Sequence, residues 1–314
     1  MVLPMRVWNP IGLWPVFSLV LLLLLGGCDE DERAEPYQVE ELRVLAIRAE
    51  PPESTDSTPV TFDALVVEGS GDLTYAWRLC PFAGPAELGY PCLADEIPEK
   101  DIELIPEDLR PCILGETAST PSFEATPCSF DTYEFILEAA AKEQGFPLDL
   151  SPETGLEMSV RLQVTDETGR TVDAIKGFAV TGSESPNSNP ALSGVVVQEE
   201  PELEPESGDV WEEDEILVID LEEAPILQVT YDPASAELVS SEESVEAVPE
   251  ELLFSWYATS GVFERGRTAP DLMDNEFRPD GDMASADDRI WVVVRDGRGG
   301  IGWIERRFSV TGAN

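Results

Sequence analysis

Strict alternation of apolar and other side chains marks two segments of this chain as half-buried strands. Over residues 74–80, Tyr75, Trp77 and Leu79 alternate with threonine, alanine and arginine. Residues 158–165 alternate in the same way, with methionine, valine, leucine and valine on one side. Successive side chains of a strand point to opposite faces, so this period of two predicts antiparallel strands with one face on a core.

The end of the strand at residues 158–165 and the segment that follows it recur later in the chain, which indicates two related domains. Residues 164–169 and 294–299 share the pattern Val-x-Asp-x-x-Gly, and residues 178–182 and 308–312 share Phe-x-Val-Thr-Gly, both at an offset of 130. The aromatic strand segment that ends at Trp77 returns at Trp256 with an offset of 179. The first copy is therefore expected to hold about fifty extra residues between its tryptophan strand and its closing hairpin.

An early strand with a tryptophan and a closing hairpin of the form V-x-V-x-D-x-x-G resemble immunoglobulin-like sandwiches of the PKD (polycystic kidney disease) type, which are common in bacterial surface proteins. Residues 162–166 and 292–296 carry the hairpin part of the resemblance. It implies an all-β fold of two tandem β-sandwiches. We expect the first at residues 38–182, a linker at 183–192 and the second at 193–314.

The extra residues of the first copy, about 81–150, carry or adjoin four cysteines, Cys80, Cys92, Cys112 and Cys128. In an exported chain an even number of cysteines predicts disulfides, here with three possible pairings. We favour Cys80 with Cys92 and Cys112 with Cys128, because short separations close most readily. A tetrathiolate zinc site is the alternative, although the close C-x-x-C pairs typical of such sites are missing.

One helix is predicted in the same region, from Thr132 to Gln144. Asp131 would be its N-cap, with Glu134 at the third helical position as in a capping box. Phe130 would pack against Phe135 as a hydrophobic staple. The predicted first domain is thus a sandwich with a disulfide-containing insertion that includes one helix.

The N-terminus has the layout of a secretory signal peptide, with Arg6 followed by a mostly apolar run over residues 11–25. Leu25, Gly26, Gly27 and Cys28 then resemble the lipobox of bacterial lipoproteins. The resemblance implies removal of residues 1–27 and a diacylglycerol thioether on Cys28, with residues 28–37 as an acidic tether. An uncleaved membrane helix is the alternative, but Pro15 and the glycine pair interrupt a span of the usual length.

Lipid on Cys28 implies a membrane as the first partner and the cell envelope as the location. Several acyl chains on one cysteine give lasting attachment, because each buried methylene contributes roughly 0.8 kcal/mol. Asp29 resembles an inner-membrane retention signal of enteric bacteria, a rule that other lineages need not follow. We expect the outer membrane, with the inner membrane as the alternative and the body of the protein in the periplasm or at the cell surface.

Charge and composition exclude several function classes. The 64 acidic residues against 19 basic ones give a formal net charge of −45, which argues against nucleic acid as a partner because phosphate binding needs a basic surface. The absence of histidine removes Ser-His-Asp sites, histidine metal sites and the commonest general base. Two acidic runs, residues 198–215 and 237–251, are predicted to be solvated loops of the second domain.

Three further groups of side chains are candidates for binding. Four aspartates near Gly281 are weak calcium candidates, with a solvated acidic loop as the alternative: Asp280, Asp282, Asp287 and Asp288. Trp291 points opposite to its apolar neighbours, so an exposed patch with Trp303 would be a partner site. Four arginines near the last hairpin are expected to pair with the acidic loops, with docking of an acidic polymer as the alternative: Arg295, Arg298, Arg306 and Arg307.

The sequence therefore predicts a lipid-anchored envelope protein with a non-enzymatic binding, adhesion or scaffolding role toward an unknown envelope protein or polysaccharide. No residue is assigned a catalytic role, and no cofactor is expected, with calcium as the one candidate ion. The alternatives are a carboxylate-based enzyme or accessory acting on envelope polysaccharide, and a calcium-stabilised adhesive module.

Overall fold

The computed structural model describes residues 37–55, 57–85, 89–144, 155–183, 185–198, 208–241, 244–281, 285 and 287–312. They belong to one compact unit, Tyr37–Asn314. The predicted signal peptide, Cys28 and nearly all of the acidic tether lie outside the described residues. Within the ranges given, no helix combines the length and the apolar character that a membrane crossing requires.

The first half of the unit is a sandwich of two sheets. Its strands are β1 (Arg43–Glu50), β2 (Glu53–Ser54), β3 (Val60–Val67), β4 (Thr74–Cys80), β5 (Thr117–Ala118), β6 (Phe123–Ala125), β7 (Leu156–Thr165) and β8 (Thr171–Val180). One sheet has the order β1-β3-β6 and the other the order β2-β8-β7-β4-β5. Both strands predicted from alternation are confirmed, since they form β4 and most of β7, which pair antiparallel along the whole of β4.

Aromatic side chains fill the space between these two sheets. Trp77, Phe62, Phe123 and Phe178 are buried in a single core, with the rings of Phe62 and Phe178 edge to face at 5.2 Å. The indole N–H of Trp77 donates to the carbonyl of Thr120 at 2.9 Å, so this buried donor is satisfied. Trp77 is therefore a core residue, as its position on the apolar face of β4 predicts.

The second half of the unit is another two-sheet sandwich. Its strands are β9 (Leu192–Gln198), β10 (Asp209–Trp211), β11 (Ile216–Asp220), β12 (Ile226–Tyr231), β13 (Leu238–Ser241), β14 (Ser244–Pro249), β15 (Leu253–Ala258), β16 (Val262–Phe263), β17 (Arg267–Thr268), β18 (Asn275–Arg278), β19 (Asp288–Arg295) and β20 (Ile301–Thr311). The sheets have the orders β10-β9-β12-β18-β16 and β11-β20-β19-β15-β17, and β13 pairs with β14 as a separate hairpin. Trp256 on β15 is fully buried, and its N–H donates to the hydroxyl of Thr268 at 2.9 Å.

The two sandwiches share one strand topology. In each, a short strand that follows the first long one moves to the opposite sheet and pairs in parallel with the last strand: β2 with β8, and β11 with β20. The tryptophan strands β4 and β15 occupy equivalent places beside β7 and β19. The predicted all-β fold of two immunoglobulin-like sandwiches is confirmed. The PKD type within that fold stays a prediction.

The repeated Val-x-Asp-x-x-Gly pattern forms the turn between the last two strands of each sandwich. In both turns the Oδ1 atom of the aspartate, Asp166 or Asp296, accepts hydrogen bonds from the backbone N–H groups two and four residues later, at 2.8–3.0 Å. The glycine three residues after each aspartate has a positive φ, +83° at Gly169 and +110° at Gly299. Aspartate and glycine recur at this spacing because the turn needs a local acceptor and a left-handed residue.

The predicted insertion at residues 81–150 includes two strands of the first sandwich. β5 pairs with β4, and β6 pairs with β3 and contributes Phe123 to the core. Between β4 and β5 lie two short helices, α1 (Glu99–Ile102) and α2 (Arg110–Leu114), and two 3₁₀ turns at Leu93–Glu96 and Glu107–Leu109. The extra residues are thus divided between two connections, β4 to β5 and β6 to β7.

The long helix α3 spans Phe130–Gln144, and its first turn differs from the prediction. The predicted N-cap Asp131 lies inside the helix, and the hydroxyl of Ser129 accepts the N–H of Thr132 at 3.4 Å instead. The predicted staple is also wrong, because Phe130 is buried whereas the Phe135 side chain is 64% exposed. Phe130 and Tyr133 lie in the core of the first sandwich, and packing against that core fixes the start of the helix.

The acidic run at residues 237–251 is not a plain loop. Its middle forms the hairpin β13–β14, antiparallel from Leu238–Pro249 to Ser241–Ser244. Of the other run, residues 208–215 are described and contribute β10 and the turn that leads to β11. The acidic composition of these two runs therefore does not mean that they lack strands.

Candidate functional site

The four predicted disulfide cysteines are in two different states. Cys112 is bonded to Cys128, as predicted. Cys80 and Cys92 are buried thiols, so the predicted second disulfide is not formed in this structure. Both thiols belong to one small buried cluster and are hydrogen-bonded to each other. The Cys112–Cys128 bond also rules out the tetrathiolate zinc alternative, because it uses two of the four ligands.

Arg78 lies beside this thiol pair. The hydrogen bond from Cys80, together with one from the Arg78 guanidinium, lowers the pKa of Cys92 to about 6. The same thiol contact and burial raise the pKa of Cys80. Arg78 is itself held by an ion pair with Asp95 at 2.6 Å. Cys92 is therefore the more acidic thiol of the pair.

The described calcium candidates have protein partners. Asp287 accepts hydrogen bonds from Arg289 and Arg307, and the bond from Arg307 holds its pKa below the ordinary value. Asp288 is buried and accepts from the Thr259 hydroxyl at 2.9 Å. Asp280 is exposed, and Asp282 lies outside the described residues. No three metal-binding side chains converge within the described part of the chain, and calcium at this loop stays a prediction.

The outer face of β19 packs against the first sandwich. Trp291 is 1% exposed and lies in an apolar seam formed by residues of both sandwiches: Val39, Leu45, Ala46, Leu65, Val67, Trp291, Val293 and Ile301. The Trp291 N–H donates to Glu305 at 2.8 Å, and the Arg48 guanidinium lies over the ring of Trp303 at 4.6 Å. The predicted exposed tryptophan patch is therefore wrong, since the first sandwich covers it.

Polar side chains of the predicted linker close the edge of this apolar seam. The side-chain amide of Asn187 donates to Asp296 at 2.9 Å. The amide of Asn189 donates to the carbonyl of Ala49 at 2.7 Å and accepts the N–H of Ile301 at 2.8 Å. These bonds join the linker to both sandwiches, so it acts as part of their interface.

The arginines around the last hairpin satisfy partners inside the molecule. Arg298 forms ion pairs with Glu53, Glu237 and Glu250, and Arg307 forms one with Asp287. Arg295 donates to the carbonyl of Leu45 at 3.0 Å, across the seam. The expected pairing with acidic loops is confirmed for Arg298 and Arg307, and Arg295 joins the two sandwiches instead.

A groove of about 540 Å³ opens between β10 and β11, the edge strands of the two sheets of the second sandwich. Trp211, Leu217 and Ile219 line its inner part, and Val210 and Val218 on its walls are 58% and 60% exposed. Two bonds hold Trp211 in place. The indole N–H of Trp211 donates to the Glu215 carbonyl at 3.3 Å, and the backbone carbonyl of Trp211 accepts from the buried guanidinium of Arg306 at 2.9 Å.

The groove contains one polar side chain without a partner. Gln198 is 5% exposed, and neither its amide nitrogen nor its amide oxygen makes a hydrogen bond with any residue that the structure describes. A buried amide left in this state costs free energy, and nearly all such groups in native proteins are paired. Around it, Asp209, Glu215 and Glu223 contribute exposed carboxylates, and the described lining includes no lysine or arginine. The groove thus combines apolar surface, an unused donor and acceptor, and negative charge.

The backbone of β11 is open on the groove side. β11 pairs in parallel with β20 and with no other strand of the described chain. The Ile219 carbonyl accepts from the side-chain hydroxyl of Thr311 on β20, and the Leu221 N–H donates to the Thr311 carbonyl. Since alternate residues of a parallel strand bond to the same neighbour, the N–H and C=O of Val218 point to the open edge.

The sequence predictions did not identify this groove, because they treated residues 198–215 as solvated. The available signal was the apolar run of residues 216–219 directly after four acidic residues. With apolar side chains at successive positions, both faces of a strand are apolar, and in an edge strand one of them remains exposed.

No family model and no curated relative matches this sequence. Solved structures with a similar arrangement have low scores. Three N-terminal domains of the Highly Immunogenic Outer Capsid protein of bacteriophage RB49 give a TM-score of 0.22 at 12% identity, and the match covers 86% of this chain and 59% of that one. Murine CEACAM1b gives 0.21 at 11% identity, covering 84% and 98%. A Ca²⁺-stabilised adhesin with which an Antarctic bacterium binds ice gives 0.22 at 11% identity, covering 86% and 50%. No functional assignment follows from likeness at this level.

Proposed function

We propose that this protein is a lipid-anchored component of the bacterial cell envelope that binds another molecule through the groove between β10 and β11, without catalysis. The observation that carries the binding role is the buried, unpaired amide of Gln198 beside the open edge of β11. The lipobox resemblance at Cys28 supports the anchor. Residues 28–36 would then connect the acylated cysteine to the compact unit, in the outer membrane or alternatively the inner one.

The rest of the molecule supports a binding role centred on this groove. The apolar outer face around Trp291 is covered by the first sandwich, and the arginines of the last hairpin are engaged internally. Along β10 and β11, in contrast, Val210, Ile216 and Val218 are exposed together. Exposed apolar side chains beside a groove, on a protein with a net charge of −45, are typical of an interaction site.

Metabolic labelling with palmitate tests the anchor. We expect label on the full chain and in the membrane fraction, and loss of both in the Cys28→Ala variant. Unlabelled wild-type protein, or unchanged fractionation of Cys28→Ala, would remove the lipid anchor from the proposal. This test is independent of the groove.

Capture from envelope extracts tests the binding role. The full chain in detergent is expected to retain material that the Val218→Glu variant loses, because a carboxylate at the groove wall opposes an apolar contact. Leu104→Glu is the matched control, since Leu104 is 79% exposed, lies in the connection between β4 and β5 and does not line the groove. Equal capture by all three proteins would contradict binding through the groove, and degradation of the captured material would favour the carboxylate-based enzyme.

A further inference from the structure

We propose that the groove takes an extended peptide segment of another protein, which adds as a strand to β11 and carries lysine or arginine among apolar side chains. This inference rests on the proposed binding function and specifies its ligand class. It follows from three features of the groove: the strand edge, the buried amide and the charge.

The edge of β11 offers main-chain hydrogen bonds. The N–H and C=O of Val218 point away from β20, which is the only partner of β11 in the described chain. At the C-terminal end of the strand, the N–H of Asp220 faces the carboxylate of Glu223 at 3.5 Å. The central residue of the edge is therefore free to pair with an added strand, a common mode of peptide recognition.

The walls of the groove suit the side chains of such a strand. Alternate side chains of an extended peptide point to opposite sides. One set would enter the groove above Trp211 and Leu217, and the other would lie along the exposed Val218. The Gln198 amide holds an unused donor and acceptor, the same pair of groups that one peptide bond presents. Both amide atoms of Gln198 are closed to solvent in the free protein, so the side chains over them would have to move for the peptide to bond to Gln198.

Charge decides between a different protein and a second copy of this chain. The carboxylates of Asp209, Glu215 and Glu223 surround the groove, and the whole chain carries a net charge of −45. Pairing of β11 with β11 of a second copy would bring the same carboxylates together, and like charges at close range are unfavourable. A segment with lysine or arginine would neutralise them. The geometry and the charge therefore favour a basic partner strand over self-association.

Synthetic peptides test the proposal directly on the full chain in detergent. The probe is a fluorescein-labelled nine-residue peptide in which valine alternates with lysine and threonine. We expect saturable binding, weakened at least about tenfold when glutamate replaces lysine. N-methylation of the backbone on one set of alternate residues should abolish binding, and methylation of the other set should leave it nearly unchanged, since only one set faces β11. Equal effects of the two methylation patterns, or absence of binding at about 1 mM peptide, would overturn the proposal.

Gln198→Leu separates a ligand-binding role from a structural one. Removing an unpaired buried amide should raise the melting temperature of the protein and weaken peptide binding about tenfold. Gln228→Leu is the matched control, because Gln228 is also buried and its amide oxygen is also unpaired, but its amide nitrogen donates to Asp274 at 3.2 Å. That variant should lower the melting temperature and leave peptide affinity unchanged. Wild-type peptide affinity in a folded Gln198→Leu protein would count against the inference. Groove-dependent capture of a ligand that is not a peptide would support the binding function but overturn the proposal that the ligand is a peptide.

Discussion

A lysine ammonium is enclosed where the two sandwiches meet. Lys176 on β8 is buried and donates a hydrogen bond to the carbonyl of Gly299 in the last turn of the second sandwich. Burial lowers the pKa of Lys176 to about 8, against the opposing attraction of Asp296. Below that pH the folded protein holds a charged group away from water, which costs stability.

The pKa of Lys176 predicts a rise in stability with pH. Between about pH 8 and the ordinary lysine value of 10.5, the folded state has lost the proton that the unfolded state still binds. Unfolding then takes up a proton, so the free energy of unfolding increases with pH, by about 3 kcal/mol across the window. Urea unfolding over this range should show the rise in wild type and in Lys142→Met, whose lysine is exposed, but not in Lys176→Met. An equal rise in Lys176→Met would contradict the assignment.

Residue roles were predictable where a side chain acts within its own strand or turn. The core positions of Trp77 and Trp256 follow from alternation, and the pairing of Asp166 and Asp296 with their turns underlies the repeat. Lys176 could not be identified in this way, because its burial depends on residues more than a hundred positions away. The same holds for Gln198, whose surroundings come from β10, β11 and the loop before β12.

At the scale of elements, the loop after β4 is closed by two thiols. Cys80 is the last residue of β4, and Cys92 directly precedes a 3₁₀ turn. The backbones of Ala83 and Cys92 pair as an isolated antiparallel β-bridge. Arg78, two residues before Cys80, adds the positive charge that favours a thiolate on Cys92. The loop is thus arranged for closure by a disulfide when an oxidant is supplied.

The thiol pair is expected to be oxidised by glutathione disulfide. The Cys92 thiolate would attack the reagent and release one glutathione, and the Cys80 thiol would then displace the second as the intramolecular disulfide forms. The number of free thiols contributed by Cys80 and Cys92, counted under denaturing conditions, should fall from two to none. The mass of the protein should fall by two hydrogens. Arg78→Met should slow the reaction several-fold, whereas Arg170→Met, an exposed arginine paired with Glu41, should not. Equal rates would show that Arg78 has no part in it.

Elements were predictable in proportion to their length and periodicity. The long strands β4, β7, β19 and β20 follow from alternation and the repeat, whereas the two-residue strands β2, β5, β16 and β17 are too short to show a period. Those short strands depend on neighbours that tertiary contacts provide. The start of α3 was misassigned for a related reason, since packing of Phe130 and Tyr133 outweighed the capping pattern at Asp131.

At the scale of the whole molecule, the two sandwiches are joined by more than a linker. The apolar seam contains Trp291 and Val293 from β19 and Leu45 and Leu65 from β1 and β3. In addition, Val39 donates its N–H to the carbonyl of Ala258 at 2.8 Å, so the start of the first sandwich lies beside β15. Sequence patterns located the two sandwiches but not this contact, because alternation marks an apolar face without showing what covers it.

The seam predicts that the two sandwiches unfold together and that Trp291→Ala separates them. Trp291 is fully buried between them, and replacing a buried tryptophan by alanine typically costs about 3–5 kcal/mol. In calorimetry, wild type should give a single transition, and Trp291→Ala should give two, because each sandwich keeps its own core around Trp77 or Trp256. Phe135→Ala is the matched control, since that exposed aromatic lies outside the seam and should leave the single transition intact. If Trp291→Ala melts in one step at the wild-type temperature, the seam does not couple the sandwiches, and the sandwich carrying the β10–β11 groove would then unfold independently of the tethered one.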